Sequence, residues 1–352
     1  MDNQISNINQ ICDRANRLYD AEEYEAAADL FLSLTEDGTY APYAYYMLAD
    51  IANITGDPLT SKDLYYKAFT LKPDLCSNML PEDHPNYDYV FPGKKTEPVV
   101  EVCQLCGKAG EPIWSYATIK MGSKHVQKLN PVRMWMYCDI CHHIYADEFP
   151  QIEGLEQGDD IDNDKTYTTY HSRFPHYSQI FERLASYTTG LDLLEVGLGA
   201  CECSLVAREM GYNVFGVDIL EGCVVTAKKF GIEAELRDFM DFSSDKQWDI
   251  IIFGDVLEHV SDPVAALNKL YELLKDNGAL WISTPNFDSS YSALKGHSDA
   301  MRLEIYHKNY FSRVSLFNLL ERCSFVPVNY QISKFYLGSM EVIAVKDVYQ
   351  VE

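Results

Sequence analysis

Two sets of residues in this chain have types and spacings that can do chemistry. Cys103-Gln-Leu-Cys106 and Cys138-Asp-Ile-Cys141 are CxxC knuckles separated by 31 residues. Each knuckle offers two thiolates from one tight turn, and two knuckles complete a tetrahedron suited to zinc. Four sulfur ligands leave no open position for water, so the expected role is structural, and the metal would supply folding energy to a small unit. His142 and His143 adjoin the second knuckle but are not needed to fill it. The second set is acidic. Glu195, Asp218, Asp238 and Asp255 stand at the ends of successive apolar runs, and Gly197 and Gly199 follow the first of them. Such a ring suits a ligand with a cationic centre, an ammonium group and a ribose diol better than it suits a pyrophosphate.

The elements that must carry the acids alternate. LDLLEVGLGACECSL reads as strand, glycine turn and helix, the opening of a doubly wound α/β domain that binds ligands at the carboxyl ends of its strands. Strands are predicted over 191–197, 213–219, 232–237, 248–256 and 278–284. Helices are expected from about 171 to 187, from 201 to 210 closed by Gly211, and from 263 to 274. A polar and aromatic insertion follows Pro285, then a helix over 313–322 begun by Phe311 and Ser312, the latter a good N-cap. Two last strands, 326–335 and 340–346, are close enough for a hairpin, which predicts an antiparallel strand beside a parallel sheet. A dinucleotide enzyme would have GxGxxG after the first strand, and Glu202 occupies the third glycine position.

On LLEVGLGA, FGVDI, RDFMDF, DVLEHVSDP and LLKDNGALWISTPN, residues 165–352 resemble a class I S-adenosylmethionine-dependent methyltransferase of the small-molecule kind related to the ubiquinone-biosynthesis methyltransferases. The resemblance implies a Rossmann-like sheet with an antiparallel last strand. It also implies roles. Gly197 and Gly199 would admit the methionine part of the cofactor, and Glu195 would order its ammonium. Asp218 would take the ribose hydroxyls, Asp238 and the Phe239 backbone the adenine amino edge, and Ile219 the adenine face. Asp255 would stand between cofactor and acceptor. Cys201 occupies a position where the common motif has another glycine. Methyl transfer from a sulfonium is mostly positioning, with a base needed only if the acceptor loses a proton. His259 is the candidate base, and a capping or core histidine is the alternative. Tyr291, His297, Tyr306, His307 and Tyr310 could build an acceptor lid.

Ahead of this domain lie three shorter regions. Residues 103–145, with Trp114, Tyr116, Ile119, Val132, Met134 and Met136 between the knuckles, resemble a zinc ribbon. Residues 1–75 are helical in period and repeat at a spacing of 34: Ala15 and Leu18 match Ala49 and Ala52, Ala27 and Phe31 match Ser61 and Tyr65, and Leu34 matches Ala68. They resemble tetratricopeptide repeats. Two repeats are few for a free array, so the block is expected to pack on the following domains or on a protein partner or second copy. Residues 76–102, with Pro81, Pro85, Pro92 and Pro98, read as an extended linker, and 146–164 as an acidic one. Asp160, Asp162 and Asp164 imitate a calcium loop, but Lys165 and His171 stand where Gly and Glu are required.

Composition narrows the rest. At 352 residues the chain has room for two or three domains, and 47% hydrophobic with 23% charged residues is ordinary for a globular protein. A net charge of -24 without a Lys/Arg cluster argues against nucleic acid. No stretch approaches the roughly 18 to 20 apolar residues of a membrane span, and the first residues have neither a basic head nor an apolar core. A cytoplasmic location is the expectation, and the resemblance implies a small-molecule acceptor, with a sugar or nucleotide sugar favoured over a quinone by analogy with sugar methyltransferases that carry a zinc-binding module in front of this fold. The alternatives are a protein methyltransferase and a non-catalytic interaction protein.

Overall fold

The computed structural model describes residues 2–120, 122, 129–150 and 173–347. The acidic run beyond Pro150, including the calcium-like aspartates, and His171 lie outside the described residues.

Four helices come first: α1 (Asp2–Asp20), α2 (Tyr24–Leu34), α3 (Ala41–Ile54) and α4 (Pro58–Leu71). Asp57 caps α4 by accepting from the Thr60 backbone N–H at 3.1 Å, and Pro58 supplies the fixed φ of a first helical turn. Ala15, Ala27, Phe31 and Leu34 are buried, as are Ala49, Ser61, Tyr65 and Ala68 at the matching positions. Small residues there let each helix lie close against the next. As expected, the block does not stand alone: α3 and α4 pack against the neighbouring sheet. Asn53 accepts from the Ser115 N–H at 2.8 Å, and Lys62 pairs with Asp147 and Glu148.

Residues 76–102 are not a free linker. After the short helix α5 (Cys76–Met79), Tyr89 and Phe91 bury themselves against the helical block. Glu97 is buried and faces Arg133 at 3.3 Å. Asp147 and Glu148, expected in a solvated acidic linker, are likewise paired with Lys62. Burial of the surrounding strap makes a paired carboxylate the only tolerable kind.

The knuckle region forms β1 (Glu111–Ala117), β2 (Val132–Cys138) and β3 (His143–Ala146), a fully antiparallel meander. A fourth strand joins it that the sequence pattern does not predict. It is β9 (Asn309–Phe311), from the insertion of the following domain, so the sheet order is β1-β2-β3-β9. The cysteine-bearing unit therefore does not close on itself within 103–145. Cys103, Leu105, Cys138 and Tyr145 share a core with Leu316, Leu319 and Leu320 of the C-terminal part.

The large sheet is assembled from β4 (Asp192–Val196), β5 (Asn213–Asp218), β6 (Glu233–Leu236), β7 (Trp248–Gly254), β8 (Leu274–Pro285), β10 (Phe325–Ile332) and β11 (Ser339–Lys346). Its order is β10-β11-β8-β7-β4-β5-β6, with β8, β7, β4, β5 and β6 parallel and the β10–β11 hairpin antiparallel, as expected. Both faces are covered, which is why β7 reads as one apolar run. Helices α6 (Phe174–Leu184), α7 (Glu202–Glu209), α8 (Glu221–Lys229), α9 (Pro263–Leu273), α10 (Ser290–Lys295) and α11 (Arg313–Arg322) complete the fold. Ser312 caps α11 in a reciprocal capping box, whereas Phe311 belongs to β9 and not to the helix start.

Candidate active site

The carboxyl ends of β4, β5 and β7 define the site. β4 delivers Glu195 one residue before its end, with the carboxyl buried and bonded to the Ser204 hydroxyl of α7. Burial pushes this carboxyl up to about 8, and the Ser204 hydrogen bond only partly offsets it. Gly197 follows at φ 81°, where a Cβ would meet Val256 at 2.7 Å, so a side chain is excluded by space as well as by backbone. The Gly199 N–H donates to Asp218 Oδ2 at 3.3 Å, and the Leu220 N–H donates to its Oδ1 at 2.8 Å. Asp218 thus ties two successive turns together, and burial raises its pKa. Cys201 adopts φ 61°, the left-handed conformation a glycine would supply at that point of the motif.

Asp255 follows the last residue of β7 and is another left-handed residue (φ 53°). Its Oδ1 accepts from the Ser283 hydroxyl at 2.8 Å, and burial raises its pKa. Asp255 is where three cavities meet. One, of about 270 Å³, runs past Glu195, Gly197 and Gly199 to Arg173, Tyr177 and Tyr336. The second, of about 470 Å³, is lined by Asp218, Ile219, Asp238, Phe239 and Lys308. The third, of about 230 Å³, holds Glu258, His259, Glu304 and His307. Gly197 and Val256 are shared by the first two, His259 by the last two, and Tyr336 by the first and third.

Most residues selected from sequence converge here, with differences in detail. Asp238 is exposed and accepts from the Met240 N–H at 2.8 Å, which caps the turn 239–241. Phe239 turns its ring into the core against Phe253. Ile219 stays exposed at the cavity wall. His259 is neither a helix cap nor a solvated base. Its Nδ1 lies 3.1 Å from the Tyr306 carbonyl, which can only accept, so Nδ1 carries the proton and Nε2 keeps its lone pair as an acceptor. Burial lowers its pKa to about 4. His307 makes the same kind of bond to the Met301 carbonyl at 3.2 Å, and the two imidazoles meet edge to face at 4.9 Å. Of the expected lid residues, His307 lines the third cavity and Tyr306 acts through its carbonyl. Tyr310 is buried on Asp299, and Tyr291 lines a different cavity beside Arg313.

Sequence reasoning misses Glu258. It sits three residues after Asp255 in DVLEHVSDP, fully buried, with an oxygen accepting from the Thr284 hydroxyl at 3.0 Å and its pKa pushed well up by burial. Ligand atoms of Glu258, His259 and His307 lie within 4.8 Å of one another, a donor set that can hold a divalent cation. Arg173, His176, Tyr336 and Glu341 also line the first cavity, and no local signal marks them.

Residues 170–329 match the family model described as a methyltransferase domain. The ubiquinone biosynthesis O-methyltransferase of Ruegeria pomeroyi is 30% identical over 153 residues, 40% of this chain and 62% of that protein. The protein of the same name from Rickettsia conorii is 29% identical over 112 residues, 30% of this chain and 39% of its own. The chain therefore spans less than two thirds of these curated relatives. Among solved structures, the N-methyltransferase NodS of Bradyrhizobium japonicum, in complex with S-adenosylhomocysteine, overlays with a TM-score of 0.42 at 13% identity, over 55% of this chain and 96% of that one.

The four knuckle cysteines also come together. All four Sγ atoms lie within 4.8 Å of one another, with Cys106 and Cys138 3.6 Å apart. Three of the flanking contacts lead into the matched segment 170–329: His143 packs on Phe311, Ser312 donates to the His142 carbonyl, and Arg322 donates to the Leu105 carbonyl. Among the described residues, no helix is long and apolar enough to cross a membrane.

Proposed function

We propose that this protein transfers a methyl group from S-adenosylmethionine to a small-molecule acceptor. The observation that carries the reading is the meeting of three cavities at Asp255. In this reading the methionine end of the donor lies beside Glu195, Gly197 and Gly199. The ribose meets Asp218, and the adenine lies between Ile219, Phe239 and Asp238. The acceptor occupies the third cavity, so that its nucleophile approaches the sulfonium in line past Asp255. His259 Nε2 takes the proton as the acceptor oxygen or nitrogen bonds to the methyl carbon and the carbon–sulfur bond breaks.

The third cavity carries three carboxyls, two imidazoles and no Lys or Arg, which favours a neutral, hydroxyl-rich group such as a sugar ring. A nucleotide-linked sugar would keep its phosphates outside it. A second reading of this cavity rests on the Glu258–His259–His307 triad: a divalent cation held there would polarise the acceptor hydroxyl. EDTA at a concentration that spares the cysteine site would then abolish turnover, and leaving turnover intact would exclude it.

The four-thiolate cluster is read as a closed structural zinc site, and the helical block as a tetratricopeptide-like brace. Titration with S-adenosylhomocysteine tests the donor, with binding expected at micromolar concentration and no heat sinking the enzyme reading. A mass-spectrometric search for gain of one methyl on candidate sugars tests the acceptor. Metal analysis finding no zinc, with all four thiols reactive, would remove the ribbon.

A further inference from the structure

The third cavity has a wall that comes from neither the large sheet nor its helices. Ala300, Met301, Glu304 and His307 belong to an irregular segment whose own backbone bonds are short in range: Arg302 to Asp299, Leu303 to Ala300 and His307 to Glu304. Such a segment holds its place only as well as outside groups hold it. Two of the outside groups are on β2. Trp135 Nε1 donates to the Arg302 carbonyl at 2.9 Å, and Arg133 Nη2 donates to the Ile305 carbonyl at 2.9 Å. Arg133 and Trp135 are two apart on one strand and so share a face. Both are essentially inaccessible to solvent, at 1% and 0%. Arg133 is itself fixed by the Glu148 carbonyl at 2.6 Å and Glu97 at 3.3 Å. From the other side, Arg302 stacks over the Trp114 ring of β1 at 3.8 Å.

Past this wall the chain enters β9, and the Lys308 and Asn309 N–H groups donate to the Glu258 carbonyl at 2.8 and 3.0 Å. The Tyr306 carbonyl, one residue beyond Ile305, receives His259 Nδ1. A path of direct contacts therefore runs from β2 to the imidazole. On the donor side, the side-chain bonds of Glu195, Asp218 and Asp238 go to the strand-end turns and to the helices α7 and α8 that follow them.

We propose that Arg133 and Trp135 are positioning residues for methyl transfer. The cysteine-bearing sheet holds segment 300–307 through them, and that segment sets the tautomer and orientation of His259 and the shape of the acceptor cavity. This rests on reading the third cavity as the acceptor site. Acceptor selection thus belongs to the sheet in front of the methyltransferase domain, and donor binding does not.

The test uses the full chain carrying Trp135→Phe, which keeps an aromatic ring but removes the Nε1 donor and part of the buried ring volume, and Arg133→Lys, which keeps the charge and one donor nitrogen. In W135F, amide hydrogens of His307, Lys308 and Asn309 exchange about tenfold faster, the size expected for one lost buried hydrogen bond. The ¹⁵N spectrum of His259 moves from a pure Nδ1–H tautomer toward a mixture. S-adenosylhomocysteine affinity stays within about twofold, since none of its expected contacts is touched. R133K shows the same pattern, smaller. Native exchange and a native His259 spectrum in both variants would overturn the proposal. So would a parallel loss of S-adenosylhomocysteine affinity, which marks general loosening. If the unmutated chain fails to bind S-adenosylhomocysteine, the donor reading falls, while the exchange and imidazole signals still decide whether β2 sets His259.

Discussion

The donor side of the cleft and its acceptor side are built by different means. Glu195, Gly197, Gly199, Asp218, Asp238 and Phe239 come from 45 consecutive residues, each at or just after a strand end, and the turns bond to each other. The acceptor side gathers Asp255, Glu258 and His259 with Glu304 and His307, and the last two take their support from Arg133 and Trp135, more than 160 residues earlier. The first is a local motif on a parallel sheet. The second also draws on the insertion, which lends β9 to the cysteine-bearing sheet. The contrast implies that a substitution on one side should leave the other side working, and that is open to attack.

The largest effect is expected at His259. His259→Asn should lower the maximal turnover by about 10²- to 10⁴-fold, the usual contribution of a placed base. Donor affinity should be unchanged by calorimetry; a matching loss there would break the separation. Next is Asp218. Asp218→Ala removes a buried carboxylate and the acceptor of two backbone N–H groups, and donor affinity should fall about 100-fold, from roughly 3 kcal/mol of charge-assisted hydrogen bonding. His259 should keep its tautomer by ¹⁵N spectroscopy, and if it does not, the two sides are coupled.

A pH titration of donor binding is expected to give a smaller, graded effect. Glu195 is held protonated up to about pH 8, and a bound ammonium favours its ionised form. Donor affinity should therefore weaken by up to about tenfold per unit as pH falls below 8, with one proton released on binding. The folded-state pKa is raised, so the contribution of this group to stability is complete at acid pH and is lost as pH rises toward 8. Glu195→Gln should abolish the pH slope. The smallest effect is at the far end of the molecule. Asp57→Ala removes the cap of α4 and should cost about 1 kcal/mol in chemical denaturation. It should move neither donor affinity nor the His259 signal, and a change in either would extend the acceptor support into the helical block.

How much is legible in the sequence follows the same divide. The central parallel strands β4, β7 and β8 can be found because burial on both faces writes them as apolar runs, and the boundaries of α11 because Ser312 is a capping residue. The four cysteines declare themselves by spacing. The unforeseen pieces are those without a local signature. Asn309–Phe311 is too short for periodicity to mark as a strand, Tyr336 is one tyrosine among many, and Glu97 looks like a linker acid until Arg133 is found beside it. Glu258 lies inside a recognised motif, yet a strand-end pattern selects Asp255 and passes over a buried acid one turn later.

Sequence alone determined the α/β order, the methyltransferase-like strand ends, the thiolate set and the helical period, because each rests on contacts between near neighbours whose residue types constrain one another. Tertiary structure decided the rest. It placed His259 with its proton on Nδ1, made Cys201 left-handed, and completed the sheet of the cysteine-bearing region with β9. The polar contacts behind these outcomes join residues far apart in the chain. A buried polar group must find a partner wherever the fold supplies one, and nothing in its own neighbourhood says where that will be.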